Sequence, residues 1–208
     1  MEEKKAKRTL GLGTLLAYGV GSLLGDSPYA NLIAYQVLFY LTDVLMVNTY
    51  LAATVYSGVQ WIKFLTMAIA GVIIDAKALR WGRYRSWCFV GALLVCTVPL
   101  TYANFGFKSV AVVIAVYLIT LVINQIGYNL AWSAQRTLPI KMGQNTADII
   151  ALNAFSGAGM SGGAVIYSAF FSFAAARFTG GTEFTVLAAL CAGFMMLCTL
   201  LLMAISKK

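Results

Sequence analysis

The sequence predicts an all-α membrane protein with six transmembrane helices, and three observations carry that prediction. Of 208 residues, 61% are hydrophobic and only 11% are charged, and the mean hydropathy is +0.82. Such a composition cannot clothe a water-facing surface. The apolar residues also fall into long runs; a hydrocarbon core of about 30 Å needs about 20 helical residues per crossing, so six crossings fit the length. Finally, charges and turn formers gather between the runs. Strands of an outer-membrane barrel would instead alternate apolar and polar residues over about ten positions. The composition equally excludes a disordered chain, a disulfide scaffold and a nucleic-acid binder, because the +8 charge sits in short basic clusters and not on a basic face.

Residues 1–11 read as a cytoplasmic N-terminal segment, 12–205 as a six-helix bundle and 206–208 as a basic tail. The start carries Lys4, Lys5, Lys7 and Arg8 without a convincing cleavage site, so the first helix is expected to be retained. The spans are predicted over 12–42, 49–74, 87–102, 110–135, 149–177 and 184–205. The first run exceeds a perpendicular crossing, and Pro28, which cannot donate to the Leu24 carbonyl, should disturb it around Gly25 and Asp26. The loops are 43–48, the basic 75–86, 104–109, 136–148 and the glycine-rich 179–182. An even number of spans puts both termini on one side, together with Lys77, Arg80, Arg83, Arg85, Lys141, Lys207 and Lys208. The other side holds only Lys108 and Arg177, so both termini are expected in the cytoplasm of a cell whose inner membrane holds the chain.

The most specific motif follows the second span: Gly71, Asp75, then Arg80-Trp81-Gly82-Arg83-Tyr84-Arg85. Gly71 would permit close helix packing, Asp75 can accept from an arginine or a helix N-terminus, and Arg80, Arg83 and Arg85 can bridge helix ends as a conformational latch. The stretch resembles the cytoplasmic loop between helices two and three of the major facilitator superfamily. Within it, Tyr18-Gly19-Val20-Gly21 with Asp26, Leu41-Thr42-Asp43-Val44 and the Arg-Trp-Gly-Arg set are similar to the glycoside-pentoside-hexuronide:cation symporters, the melibiose permease group. Trp132-Ser133-Ala134 is a weaker match. It places Tyr128 where that family has a sugar-binding aspartate and Asn153 where it has an arginine. The resemblance implies one half of a twelve-helix transporter, itself a repeat of three plus three helices. It also implies a sugar site at Asp26. Counting back from the basic loop, the family's two cation-binding aspartates fall at Lys63 and Met67, which argues against sodium and leaves a proton or no coupling ion.

Asp26 and Lys63 are the two formal charges placed deep inside predicted spans, and an intramembrane charge costs about 2.5–3.5 kcal/mol on insertion scales. The economical expectation is that they pair across the first two helices, with Lys63 as a tethered coupling cation; a purely static ion pair is the competing reading. Asp26 also suits sugar recognition, since a carboxylate accepts from adjacent hydroxyls while aromatic rings stack on the sugar's apolar face. Tyr18, Ser22, Asp26 and Tyr29 share one face of span one; Tyr56, Gln60, Lys63 and Met67 share one of span two; Asn124, Tyr128 and Trp132 share one of span four. Gly157, Gly159, Gly162 and Gly163 make span five a small-residue packing surface.

No histidine is present, so histidine relays, histidine metal sites and a Ser-His-Asp triad are excluded. Cys88, Cys96, Cys191 and Cys198 lie in apolar spans without CxxC spacing. No cofactor, metal or enzymatic chemistry is expected. Two readings follow: a half-transporter moving a sugar, glycoside or uronide by alternating access, or a non-transporting half serving as a remnant, assembly or regulatory partner. Either requires lipid around it. The first also requires a second six-helix half, supplied by a homodimer partner or by sequence continuing beyond Lys208.

Overall fold

Runs of helix-forming apolar residues separated by short polar turns become six helical rods in the computed structural model, which describes residues 10–77, 79–103, 105–107, 109–177 and 181–205. The first rod, α1 (12–44), is continuous but alternates α-helical and π-helical turns. The others are α2 (Thr49–Ala76), α3 (Arg83–Thr101), α4 (Val110–Met142), α5 (Thr146–Arg177) and α6 (Gly181–Ile205). No strand occurs among the described residues. By length and composition α2, α3 and the stretches of α4 to α6 each suffice to cross a membrane. The chain is an integral, multi-pass helical membrane protein.

Packing follows a threefold-plus-threefold plan. α1 lies against α5 and α6; α4, three helices later, lies correspondingly against α2 and α3; α3 and α6, which are each other's equivalents, meet. Shifting these numbers by three reproduces these pairings, in keeping with the expected internal repeat. The core between the rods is aromatic. Tyr40 lies edge-on to Tyr102 at 5.0 Å between ring centroids, and Phe184 of α6 packs on both. Their hydroxyls also serve the backbone, Tyr40 donating to the Tyr102 carbonyl at 2.8 Å and Tyr102 to that of Leu32 at 3.3 Å.

The element ends have local causes. The Asn48 side chain accepts the Tyr50 N–H at 2.9 Å and caps α2, while Asn145 accepts that of Asp148 at 2.9 Å and caps α5. Asp148 in turn accepts the Leu10 N–H at 3.2 Å, tying the entry of α1 to the start of α5. Gly82, at φ +97°, makes the turn into α3 in a conformation that suits glycine. α3 therefore begins at Arg83, four residues before the predicted Trp87. Residues 179 and 180 of the predicted turn and the tail 206–208 lie outside the described residues, as do residues 1–9 and Lys108, while Gly181 and Thr182 already belong to α6.

Two prolines shape the centre. The disturbance expected before Pro28 is a π-helical turn over Ser22–Asp26, with the Ser27 N–H reaching back five residues to the Ser22 carbonyl. Pro139, by contrast, does not end its helix. α4 runs on to Met142, correcting the predicted end at Gln135, and carries Arg136 inside the helix and not in a loop. The reason is non-local. A proline at 139 cannot donate to the carbonyl of Gln135, and that oxygen instead accepts the Tyr18 hydroxyl of α1 at 2.6 Å.

That bond can be measured. Tyr18→Phe should destabilise the bundle by about 1 kcal/mol, the order found for a hydrogen bond within a membrane bundle. In a Pro139→Ala background, where a backbone N–H returns, the same substitution should cost less. Equal losses of melting temperature in both backgrounds would dissociate the hydroxyl from the proline.

Candidate functional site: a carboxylate enclosed by α1, α4 and α5

The polar face predicted on α1 is built as predicted: Tyr18, Ser22, Asp26 and Tyr29 are all buried, Asp26 at 2% exposure. The π turn carries Ser22 and Asp26 together. Ser22 shares a hydrogen bond of 2.7 Å with Ser156 of α5, and Ser27 donates to the Met160 carbonyl at 3.0 Å. Gly159 and Gly163 allow this approach, since a Cβ on either would run into Gly19 or Ser27; Gly157 and Gly162 face open space. Span five is thus a packing surface against α1 at two of its four small positions.

Asp26 faces α4. Its Oδ2 accepts the Gln135 side-chain amide at 2.9 Å, and the charge of Arg136, the following residue, acts on it through space. The Arg136 guanidinium lies over the Trp132 ring, 5.1 Å from the centroid, and one of its nitrogens approaches the Met160 sulfur at 3.0 Å. One turn further from Trp132, Tyr128 stacks on Tyr29 at 4.6 Å between centroids, closing the site's other wall. The Trp132 indole N–H and the Tyr29 hydroxyl are buried without a hydrogen-bond partner. Of the residues gathered here, Asp26, Tyr18, Tyr29, Tyr128 and Trp132 were singled out in the sequence; Gln135 and Arg136 were not.

The expected Asp26–Lys63 ion pair does not form. Lys63 is exposed although it lies in register with the stripe of Ala52, Val55, Val59, Ala70 and Ile74 that α2 buries, and its long stem lets the ammonium reach outward. Only its backbone carbonyl is engaged, accepting the Asn129 amide of α4 at 3.0 Å; the same amide also donates to Thr66 at 2.6 Å. Tyr56 and Gln60 are half-buried and Met67 is exposed along the same flank. Asn124 is buried but turned to α3, accepting from Thr97 at 2.7 Å and donating to Thr101 at 2.6 Å. Asn153 is exposed on α5.

At the basic loop, Asp75 and Arg83 join the end of α2 to the start of α3 at 4.0 Å, both largely exposed, a geometry worth little by itself. Trp87 donates to the Lys77 carbonyl at 2.9 Å and holds the loop more firmly. Arg80 is exposed and the Nε of Arg85 is buried without a hydrogen-bond partner; among the described residues no ion pair joins either to a helix end. Gly71 meets no other side chain within 4 Å, so it makes no close helix contact here.

Among the described residues no three His, Cys, Asp or Glu side chains converge. The equipment at Asp26 is one carboxylate, one amide, one guanidinium and three aromatic rings. It suits a polar, hydroxylated solute. The apolar crevices beside Phe170 and Leu187 are lined by none of these groups.

A helical bundle in two equivalent triplets, with its polar residues gathered between them, is the architecture of a solute-carrier half. The model of the MFS/sugar transport protein family matches residues 17–208, and the chain belongs to that family. An uncharacterized symporter of Synechocystis sp. is 31% identical over 93 residues, 45% of this chain and 17% of the relative. The inner membrane symporter YicJ of Escherichia coli is 24% identical over 111 residues, 51% of this chain and 24% of that protein. The matched segments therefore cover under a quarter of either relative's length.

Proposed function

We propose that this chain is one six-helix half of a secondary transporter that moves a sugar or a related polar solute by alternating access, coupled to a cation. The single observation that carries the reading is the buried Asp26 carboxylate, bonded to Gln135 and flanked by Trp132 and the Tyr29–Tyr128 stack. Asp26 accepts two adjacent hydroxyls of the solute, Gln135 orients the carboxylate, and the Trp132 indole N–H and Tyr29 hydroxyl, which lack protein partners, offer further hydrogen bonds. Membership of the sugar-transport family and likeness to two symporters support the substrate class and the coupling. The second half rocks against this one around the site, exposing it to each side in turn. Both termini face the cytoplasm, following the basic residues.

The test is binding and uptake. A panel of neutral and acidic sugars should raise the melting temperature of the purified chain for at least one member, and vesicles carrying the chain with its second half should accumulate that sugar. Repeating uptake with and without sodium at two pH values separates sodium from proton coupling. A full panel that neither binds nor moves would favour a non-transporting assembly partner instead.

A further inference from the structure

We infer that Arg136 is the specificity-determining residue of this site and takes a carboxylate on the solute, so that the site selects a sugar acid over its neutral counterpart. The inference rests on the transport reading above.

Arg136 is a cation within a helix long and apolar enough to cross the membrane, and a charge in such a place needs a partner. A guanidinium has five N–H donors in a planar fork. The structure gives this one a single hydrogen-bond contact, to the Met160 thioether, which is a weak acceptor. No carboxylate lies within 4.0 Å of it among the described residues, whose one such ion pair is Arg83–Asp75. The Asp26 carboxylate is bonded through Oδ2 to the Gln135 amide. A static internal ion pair therefore does not account for this arginine.

The surroundings hold Arg136 ready for an outside ligand. Trp132, one turn earlier, holds the guanidinium over its ring at 5.1 Å, and with one nitrogen at the Met160 sulfur the remaining N–H donors are available for capture of a carboxylate. The buried, unpartnered Trp132 indole N–H adds a donor to the same patch. The backbone at Gln135 is pinned by the Tyr18 hydroxyl, which fixes the register of Gln135 toward Asp26 and of Arg136 beside it. The two charged groups divide the solute between them: Asp26 receives hydroxyls, and Arg136 receives the acid. A neutral sugar leaves the guanidinium unpaired, and a site built around a polar group discriminates strongly against the analogue that lacks its partner.

The test compares three probes that differ at one carbon: glucuronate, glucuronamide and glucose, titrated against the purified chain in detergent. Glucuronate should bind at least tenfold more tightly than glucuronamide. Arg136→Gln should erase that difference, and Arg136→Lys should restore part of it. Equal affinity of the wild-type chain for acid and amide overturns the role of Arg136 and leaves the transport reading standing. Equal loss of both ligands in Arg136→Gln makes the arginine structural and also overturns it. Failure of every sugar in the wider panel removes both proposals together. The wild-type comparison stands even if the variant does not fold.

Discussion

Asp26→Asn should weaken sugar binding by about 10- to 150-fold while leaving the bundle folded. The size follows from the charge-assisted hydrogen bonds that a buried carboxylate accepts, worth about 1.5–3 kcal/mol in place of neutral ones. The selectivity follows from geometry. Asparagine keeps a carbonyl oxygen that can accept the Gln135 amide across the same 2.9 Å, so the link between α1 and α4 survives. Its NH2 group, however, presents donors where the solute's hydroxyls also present donors. The change should therefore appear as a raised Kd with a melting temperature close to that of the unaltered protein. Titration of the sugar found in the binding panel, read beside a ligand-free thermal melt, checks both halves. An unchanged Kd would remove Asp26 from the site, and a collapsed melt would mean that its charge holds the helices together.

How far the site could be read from the sequence depended on whether the deciding contact lay on one helix or between two. The face Tyr18, Ser22, Asp26 and Tyr29 is a matter of helical spacing, and all four are buried together. The disturbance at Pro28 is local as well, since a proline acts on the carbonyl four residues before it. Gln135 and Arg136 were hidden because the predicted span ends at Gln135, with Arg136 opening a loop. α4 continues past that point, and a tyrosine more than a hundred residues earlier supplies the donor that the proline lacks. The Asp26–Lys63 pairing failed for a related reason. Each charge reads as needing a partner, but which helix faces Asp26 depends on the packing of the two triplets, and α4 supplies that neighbour through Gln135, not α2. Gly71 illustrates the converse: its small size is evident in the sequence, yet what it faces is set by other elements.

Gly91→Ala should destabilise the chain far more than its one added methyl suggests, and should weaken sugar binding from a distance. α3 and α4 cross where Gly91 meets Gly127: a Cβ on Gly91 would lie 2.5 Å from the Ala131 nitrogen and from the Gly127 oxygen, both backbone atoms. Backbone cannot swing aside as a flexible side chain can, so the helices must separate. Overpacking of this kind costs about 1–3 kcal/mol, and within a membrane close backbone approach is itself a principal source of helix association. Gly157→Ala is the matched control, because a Cβ there meets nothing within 4 Å and alanine improves a helical position by roughly 0.5–1 kcal/mol over glycine. The two substitutions should thus shift the melting temperature in opposite directions. The effect on binding follows from α4 carrying both Gly127 and Gln135. Pushing α4 off α3 at the crossing changes the position from which Gln135 reaches Asp26. Equal melting temperatures for the two variants would show that the crossing has room to spare; a lowered melt with intact binding would show that α4 moves without carrying Gln135 away from the carboxylate.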